Sequence, residues 1–186
     1  MRIISGLHKG RRLKAPPGMN TRPTADKVKE ALFSVLASFV PEAKVLDAFA
    51  GSGALGLEAL SRGAAMAVFV EKNASAFATL SENISACGFE KAFPWHGDIF
   101  KLLPKIKTKE PELHFDLVFL DPPYGKGQII TALNALTELE LLHADSMIVA
   151  ETGTKEEVPD LPEAFEIWKS AVYGDTSLHY CKLRRA

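Results

Sequence analysis

The 186-residue chain has only two cysteines, Cys87 and Cys181, and neither a Cys-x-x-Cys pair nor a His-Glu-x-x-His pattern. A disulfide framework and a structural zinc site are therefore excluded as organising devices, and no metal is expected. Long apolar runs are also missing. The longest, Ala64 to Val70, is seven residues, against the roughly 20 a membrane helix requires. Met1-Arg2-Ile3-Ile4-Ser5-Gly6 has no signal-peptide apolar core, so the expectation is a cytoplasmic protein with reduced thiols and no membrane partner. Nothing in the sequence demands a dimer, and a monomer is expected.

Net charge is nearly absent as well. Twenty-two basic side chains face 23 acidic ones, a formal charge of −1, which at first argues against a polyanionic partner. The distribution reverses that reading. Residues 1–30 carry eight basic groups and two acidic ones (Asp26, Glu30), a net of +6, and the remaining residues a net of −7. A basic front end on an acidic body suggests a polyanion-binding arm, with Arg2, Lys9, Arg11, Arg12, Lys14 and Arg22 as its candidate contacts.

Composition is otherwise that of an ordinary globular protein, at 47% apolar and 24% charged, and the length suits one domain with a small appendage. Residues 1–23, punctuated by Gly6, Gly10, Pro16, Pro17, Gly18 and Pro23, read as a β-hairpin arm. Its strands would be Arg2–Ile4 and Arg12–Lys14, with too few apolar residues to fold alone. From residue 24 a main domain begins with a helix whose stripe (Val28, Leu32, Val35, Leu36, Phe39) ends near Pro41. Strands are expected at Lys44–Phe49, Ala67–Glu71, Ala92–His96 (weakly), Asp116–Leu120, Met147–Glu151, Phe165–Ser170 and Ser177–Leu183. Helices are expected at Ala54–Arg62, Asn73–Cys87 and Gln128–Leu142, with only a short segment after Asp98. Such alternation implies an α/β fold with a mostly parallel sheet covered on both faces, and the two late strands suggest an edge hairpin.

In such sheets ligands bind beyond the carboxyl ends of the strands. Asp47 ends the first strand, just before the turn Gly51-Ser52-Gly53. Gly51-x-Gly53-x-x-Gly56 matches a dinucleotide fingerprint, but an acid in an apolar strand end would repel a pyrophosphate and suits a cationic ligand such as the sulfonium and ammonium of S-adenosylmethionine. Asp47 could instead bond local backbone amides. Glu71 closes the second strand and could accept both ribose hydroxyls, or serve as a helix N-terminal charge. Asp98 could accept an adenine amino group or cap the following segment. Asp121-Pro122-Pro123-Tyr124 directly follows the apolar Leu117–Leu120. The prolines remove N–H donors and fix the backbone, so the Asp121 carboxylate and Pro122 carbonyl form paired acceptors for an –NH₂ group, with the Tyr124 ring for stacking.

Together these residues resemble the class I S-adenosylmethionine-dependent methyltransferases that carry the Asp/Asn-Pro-Pro-Tyr motif. Arg2-Ile3-Ile4-Ser5-Gly6, Gly10-Arg11, Thr21-Arg22-Pro23-Thr24, Leu46-Asp47-Ala48-Phe49-Ala50-Gly51-Ser52-Gly53 and Tyr173-Gly174-Asp175-Thr176 narrow the resemblance to the RsmD family, over essentially the whole chain. The resemblance implies a Rossmann-like sheet of seven strands in the order 3-2-1-4-5-7-6, with the seventh antiparallel. It implies methylation of N2 of a guanine in 16S ribosomal RNA, the guanine 966 site, on the small ribosomal subunit or an assembly intermediate. Asp47 with the Gly51, Ser52 and Gly53 loop would cradle the methionine part of the cofactor. Glu71 would hold the ribose, Asp98 with Ile99 would meet the adenine, and Ala48 and Lys72 join the same cofactor set. Asp121, Pro122 and Tyr124 would hold the target guanine. A DNA adenine or protein glutamine methyltransferase would use nearly the same chemistry. An NAD-dependent oxidoreductase would explain the glycines but not Asp47 or the Pro-Pro-Tyr turn, and a non-catalytic RNA-binding module would not need that turn.

Overall fold

Side chains alternate between the two faces of a strand, so an apolar run buried on both sides must be covered twice. The computed structural model describes residues 1–16, 23–123, 127–154 and 160–185, and within them the sheet is covered in that way. Its strands are β1 (Lys44–Asp47), β2 (Met66–Glu71), β3 (Ala92–His96), β4 (Phe115–Leu120), β5 (Leu142–Gly153), β6 (Phe165–Tyr173) and β7 (Thr176–Leu183). The helices are α1 (Pro23–Val35), α2 (Ala54–Ser61), α3 (Ala74–Cys87), α4 (Ile99–Lys109) and α5 (Gln128–Glu138). The order β3-β2-β1-β4-β5-β7-β6 is the one the resemblance implies. β7 runs antiparallel to both β5 and β6, while β1 to β5 pair in parallel.

Val45, Phe69, Phe119 and Val149 pack with α1, α2 and α3 on one face. Leu46, Val70, Val118 and Ile148 pack with α4 and α5 on the other. β3 is an edge strand, where Pro94 can sit because its missing N–H is not needed by a further neighbour. No helix among the described residues is long and apolar enough to cross a membrane.

Four details differ from the sequence reading. α1 stops at Val35, not near Pro41. The stripe continues into the core through Leu36 and Val40, but as turns, ended where Glu42 takes φ 61°. α5 likewise ends at Glu138 rather than Leu142. Glu140 takes φ 49° and the Leu141 amide reaches the Leu136 carbonyl at 2.9 Å, the pattern of a left-handed helix end. The segment after Asp98 is an 11-residue helix, α4, that runs through Pro104 and buries Ile99, Leu102, Leu103 and Ile106.

The arm is the fourth. Its expected strand pair is shorter than the sequence reading: one antiparallel bridge, Arg2 to Arg12, with the Ile3 amide on the Arg11 carbonyl at 2.9 Å, Gly10 on Ile3 at 2.8 Å and Leu13 on Met1 at 3.1 Å, beyond which the amides turn to the main domain. Ile4 and Ser5 donate to the Glu58 carboxylate at 2.7 and 3.0 Å, and Lys14 donates to Asn83 Oδ1 at 2.8 Å. Ile3 and Leu13 join the core, so the arm leans on α2 and α3.

Candidate active site

The sheet topology gathers acids at one edge. The strands β1, β2 and β4 end at or just before Asp47, Glu71 and Asp121, Glu151 follows Ala150, the last β5 residue paired with β4, and Asp98 follows β3 by two residues. Each lies beyond or at the carboxyl end of a parallel strand, where this fold class binds ligands.

Asp47 is 2% exposed, and its Oδ2 accepts the Gly56 amide of α2 at 3.0 Å. Burial pushes its pKa up to about 7, the Gly56 bond opposes that shift, and the Glu71 charge adds to it. The backbone-amide role is therefore present, and that one bond does not offset the burial of the charge. The turn that follows takes left-handed conformations at Gly51 (φ 53°) and Gly53 (φ 80°), which residues with a Cβ rarely adopt. A Cβ added to Gly51 would meet nothing within 4 Å, so its backbone faces open space. At Gly56 a Cβ would lie 2.3 Å from Phe69 Cε1, and that glycine lets α2 lie against β2.

Glu71 Oε2 accepts the Gly51 amide at 2.7 Å and its Oε1 accepts the Asn73 amide at 2.6 Å. It thus fixes the glycine turn while its remaining lone pairs stay available to hydroxyl donors. Ser52 is buried; its carbonyl accepts Asn83 Nδ2 at 2.9 Å, and its hydroxyl lies 3.5 Å from Met1 Sδ, bringing the arm to the turn. Ala48 points into the core on the α4 and α5 face.

Asp98 caps α4 by accepting the Phe100 amide at 3.0 Å and pairs with Lys72 Nζ at 2.8 Å. The Lys72 bond is the main reason its pKa is lowered. Ile99 is 3% exposed and packs in the core, so the Asp98, Ile99 and Lys72 group is bound up in local structure at the β2–β3 side.

Asp121 is exposed to solvent, yet protein atoms crowd around its carboxylate. That crowding first, then the charges of Glu151 and Asp47, raises its pKa well above the carboxylate range. Pro122 is buried beside it. Tyr124 lies outside the described residues, as does Arg22 of the arm. Glu151 is the residue sequence reasoning missed. It follows the apolar Met147-Ile148-Val149-Ala150 just as Asp121 follows its own apolar run, and that pattern was the available signal. Its Oε1 accepts from Thr176 Oγ1 at 3.4 Å, and burial raises its pKa.

The arm's cations divide. Arg2 Nε pairs with Asp26 at 3.4 Å, Lys14 with Glu82 at 2.8 Å, and Arg11 donates to the Ala86 carbonyl. Lys9 and Arg12 are exposed. Lys29, part of the +6 count, is 4% exposed and bonded inward to Glu58 at 3.1 Å, so its charge faces the interior rather than a partner.

A family model described as conserved hypothetical protein 95 matches residues 1–182. YlbH of Bacillus subtilis (strain 168) is 37% identical over 185 residues, covering 99% of this chain and 100% of that protein. Ribosomal RNA small subunit methyltransferase D of Escherichia coli (strain K12) is 33% identical over 177 residues, covering 95% and 87%. The solved structure of Escherichia coli yhhF superposes with a TM-score of 0.86 at 32% identity, covering 100% of this chain and 99% of that one.

Proposed function

The chain belongs to the conserved hypothetical protein 95 family, the RsmD family, and from that premise we propose that it is an S-adenosylmethionine-dependent methyltransferase of ribosomal RNA. The finer proposal is that it methylates N2 of a guanine, the guanine 966 site, in 16S rRNA of the small subunit or its assembly intermediate. The observation that carries it is the Asp121 carboxylate at the end of β4, crowded and set among other acids beside the buried Asp47.

When bound, S-adenosylmethionine supplies an electrophilic methyl group on a sulfonium. The residues present fit such a ligand. Asp47 is a buried acid that favours a cation nearby, Gly51 leaves its backbone open to close approach, and Glu71 retains acceptor capacity for hydroxyls. Asp121 and the Pro122 carbonyl are acceptors without a backbone donor at Pro122 or Pro123, so they suit the two hydrogens of an exocyclic amine. Such an amine is a poor nucleophile because its lone pair is delocalised. Orienting it and stabilising the positive charge that develops on nitrogen is the assistance these acceptors give. A pyrophosphate-bearing dinucleotide suits the same acids poorly.

The arm supplies a track for RNA phosphates. Lys9 and Arg12 are exposed, and the Lys14–Glu82 and Arg2–Asp26 pairs are at the surface. Exposed pairs contribute only about 0–1 kcal/mol, so a phosphate can displace their carboxylates. The target base must be extruded or lie in a loop to reach the carboxyl edge.

The test is methyl transfer to small subunits from cells lacking the enzyme, with the product nucleoside identified by mass spectrometry. N2-methylguanosine is expected; N6-methyladenine in DNA, methylated glutamine or an unmodified product would overturn the proposal. A second expectation follows from Asp47. Near pH 7 about half of the ligand-free molecules hold a proton there, and a cationic ligand favours the ionised form. Binding should release roughly half a proton at pH 7, and affinity should rise about tenfold from pH 6 to pH 8. Calorimetry in buffers of different ionisation enthalpy reads both quantities, and Asp47→Asn should flatten the profile. A pH-independent wild-type affinity would contradict the assignment.

A further inference from the structure

The β6–β7 turn, Tyr173-Gly174-Asp175-Thr176, is a sequence motif to which the chemistry described so far gives no task. The structure gives it one. Gly174 takes φ 60°, and the Thr154 amide donates to the Asp175 carbonyl at 3.1 Å, which ties the turn to the end of β5. The turn then delivers Thr176 Oγ1 to Glu151 Oε1 at 3.4 Å. On the other side, β4 and β5 run in parallel register to the pair Leu120 and Ala150. The next residues on the two strands are Asp121 and Glu151, so two carboxylates lie side by side at the edge where the target amine is proposed to sit.

We infer that Glu151, held by Thr176, is the second carboxylate of the target-amine subsite and takes up the proton that methylation releases. This rests on the methyltransferase reading. In the transfer, the nitrogen lone pair forms a bond to the methyl carbon while the carbon–sulfur bond breaks and sulfur keeps its electron pair. The nitrogen is left with a positive charge and one proton too many. Asp121 orients the amine, and the Asp121–Glu151 pair accepts that proton and later passes it to solvent. No other reactant is needed.

The electrostatics agree with this geometry. Glu151 raises the pKa of Asp121, and both carboxylates are raised by burial, so the pair titrates as a unit and shares protons. Among the described residues, Asp47 on β1 is the other charge acting on Asp121, with Glu71 behind it. Tyr173 and Asp175 are the turn's own titratable groups. His179 on β7 is occupied by Thr152 Oγ1 at 3.1 Å and Ser170 Oγ at 2.9 Å. The Thr176 hydroxyl favours the ionised form of Glu151.

The experiment uses the full chain and three variants. In Glu151→Gln the shape and an acceptor oxygen remain but the proton cannot be taken up. Single-turnover transfer to unmodified small subunits should fall about 100-fold, the lower range for a positioned acid–base group, with KM changed less than about twofold. Thr176→Val should move the climb of rate with pH to higher pH, because the donor favouring charged Glu151 is gone. A third readout needs no activity. In ¹³C-carboxyl spectra, with Asp121 assigned from Asp121→Asn, the Asp121 titration should move to lower pH in Glu151→Gln. Wild-type rate and pH profile in Glu151→Gln would overturn the inference. So would an unmoved Asp121 titration, or a rate loss matched by lost thermal stability and lost S-adenosylhomocysteine affinity. If the wild-type protein methylates no RNA while the Asp121 titration still moves, the substrate reading fails and the carboxylate pair stands. If transfer proceeds and Glu151→Gln is silent, the inference alone fails.

Discussion

Asp121→Ala is expected to lower methyl transfer about 1000-fold while leaving the binding of S-adenosylhomocysteine within about twofold, the scale seen when a preorganised electrostatic group at a reacting centre is removed. The reasoning begins with the strand. Leu117 to Leu120 are buried and rigidly packed, so the residue that follows is held in position by the sheet rather than by a loop. Alanine removes the acceptor and the negative charge together. Asp121→Asn keeps an acceptor oxygen and loses the charge, so its rate should lie between the two. A separate consequence concerns folding. The Asp121 pKa is raised in the folded protein. The unfolded chain therefore loses this proton first, and stability falls as pH rises from the ordinary carboxylate range through the raised value. Both variants should consequently melt higher than wild type at neutral pH, with the difference vanishing in acid. Single-turnover rates and thermal melts at two pH values check the two halves. Wild-type turnover in Asp121→Ala would remove this residue from the chemistry.

Asp47 stood out in the sequence because an acid that ends an apolar strand run is costly unless something needs it, and Asp121 because two prolines and a tyrosine follow it directly after an apolar strand. Glu151 obeys the same rule, but its strand is long and its partner, Thr176, is 25 residues away, so the pairing exists only once β5 and β7 are side by side. Asp98 shows the opposite limit. Acceptor and helix cap look alike in sequence, and the structure engages this carboxylate in a cap and a Lys72 pair. The strand order was legible from the family resemblance alone, while the pattern of elements announced a mostly parallel sheet and an edge hairpin. The end of α5 was not, since the left-handed turn at Glu140 carries no glycine to announce it, and the end of α1 was not, since the apolar stripe continues past Val35 while the backbone tightens into turns with the Phe39 amide on the Leu36 carbonyl. The net charge of residues 1–30 was legible but its direction was not. Lys29 and Lys9 count equally in a sum, and one faces the core while the other faces water.

That inward charge leads to the largest expected effect on stability. Glu58 is fully buried on α2 and receives four donors: Ile4 N at 2.7 Å, Ser5 N at 3.0 Å, Lys29 Nζ at 3.1 Å and Arg62 Nε at 2.8 Å. Lys29 also donates to the Arg2 carbonyl at 2.5 Å. Burial lowers the Lys29 pKa, and Glu58 is the main influence that opposes this. Glu58→Ala therefore removes the counter-charge of a buried ammonium and leaves two arm amides without acceptors. Breaking one side of a buried pair costs about 3–5 kcal/mol, and for a chain of this size that is a fall in melting temperature on the order of 10 °C. Glu58→Gln keeps one acceptor oxygen but loses the charge and turns an NH₂ toward two donors, so it should recover little of the loss. Adding Lys29→Met to Glu58→Ala should recover part of the loss, because the uncompensated charge goes with it, and the shortfall from additivity measures the pair. The arm is the link to function. With its amides released, exchange at Ile4 and Ser5 should accelerate more than exchange in β4. RNA binding should also weaken with a shallower dependence on salt, since Lys9, Arg11 and Arg12 are no longer presented together. A melting temperature within a degree or two of wild type would show that the arm is held by Ile3 and Leu13 in the core rather than by Glu58. An unchanged salt slope in a destabilised variant would separate the arm's anchoring from RNA binding altogether.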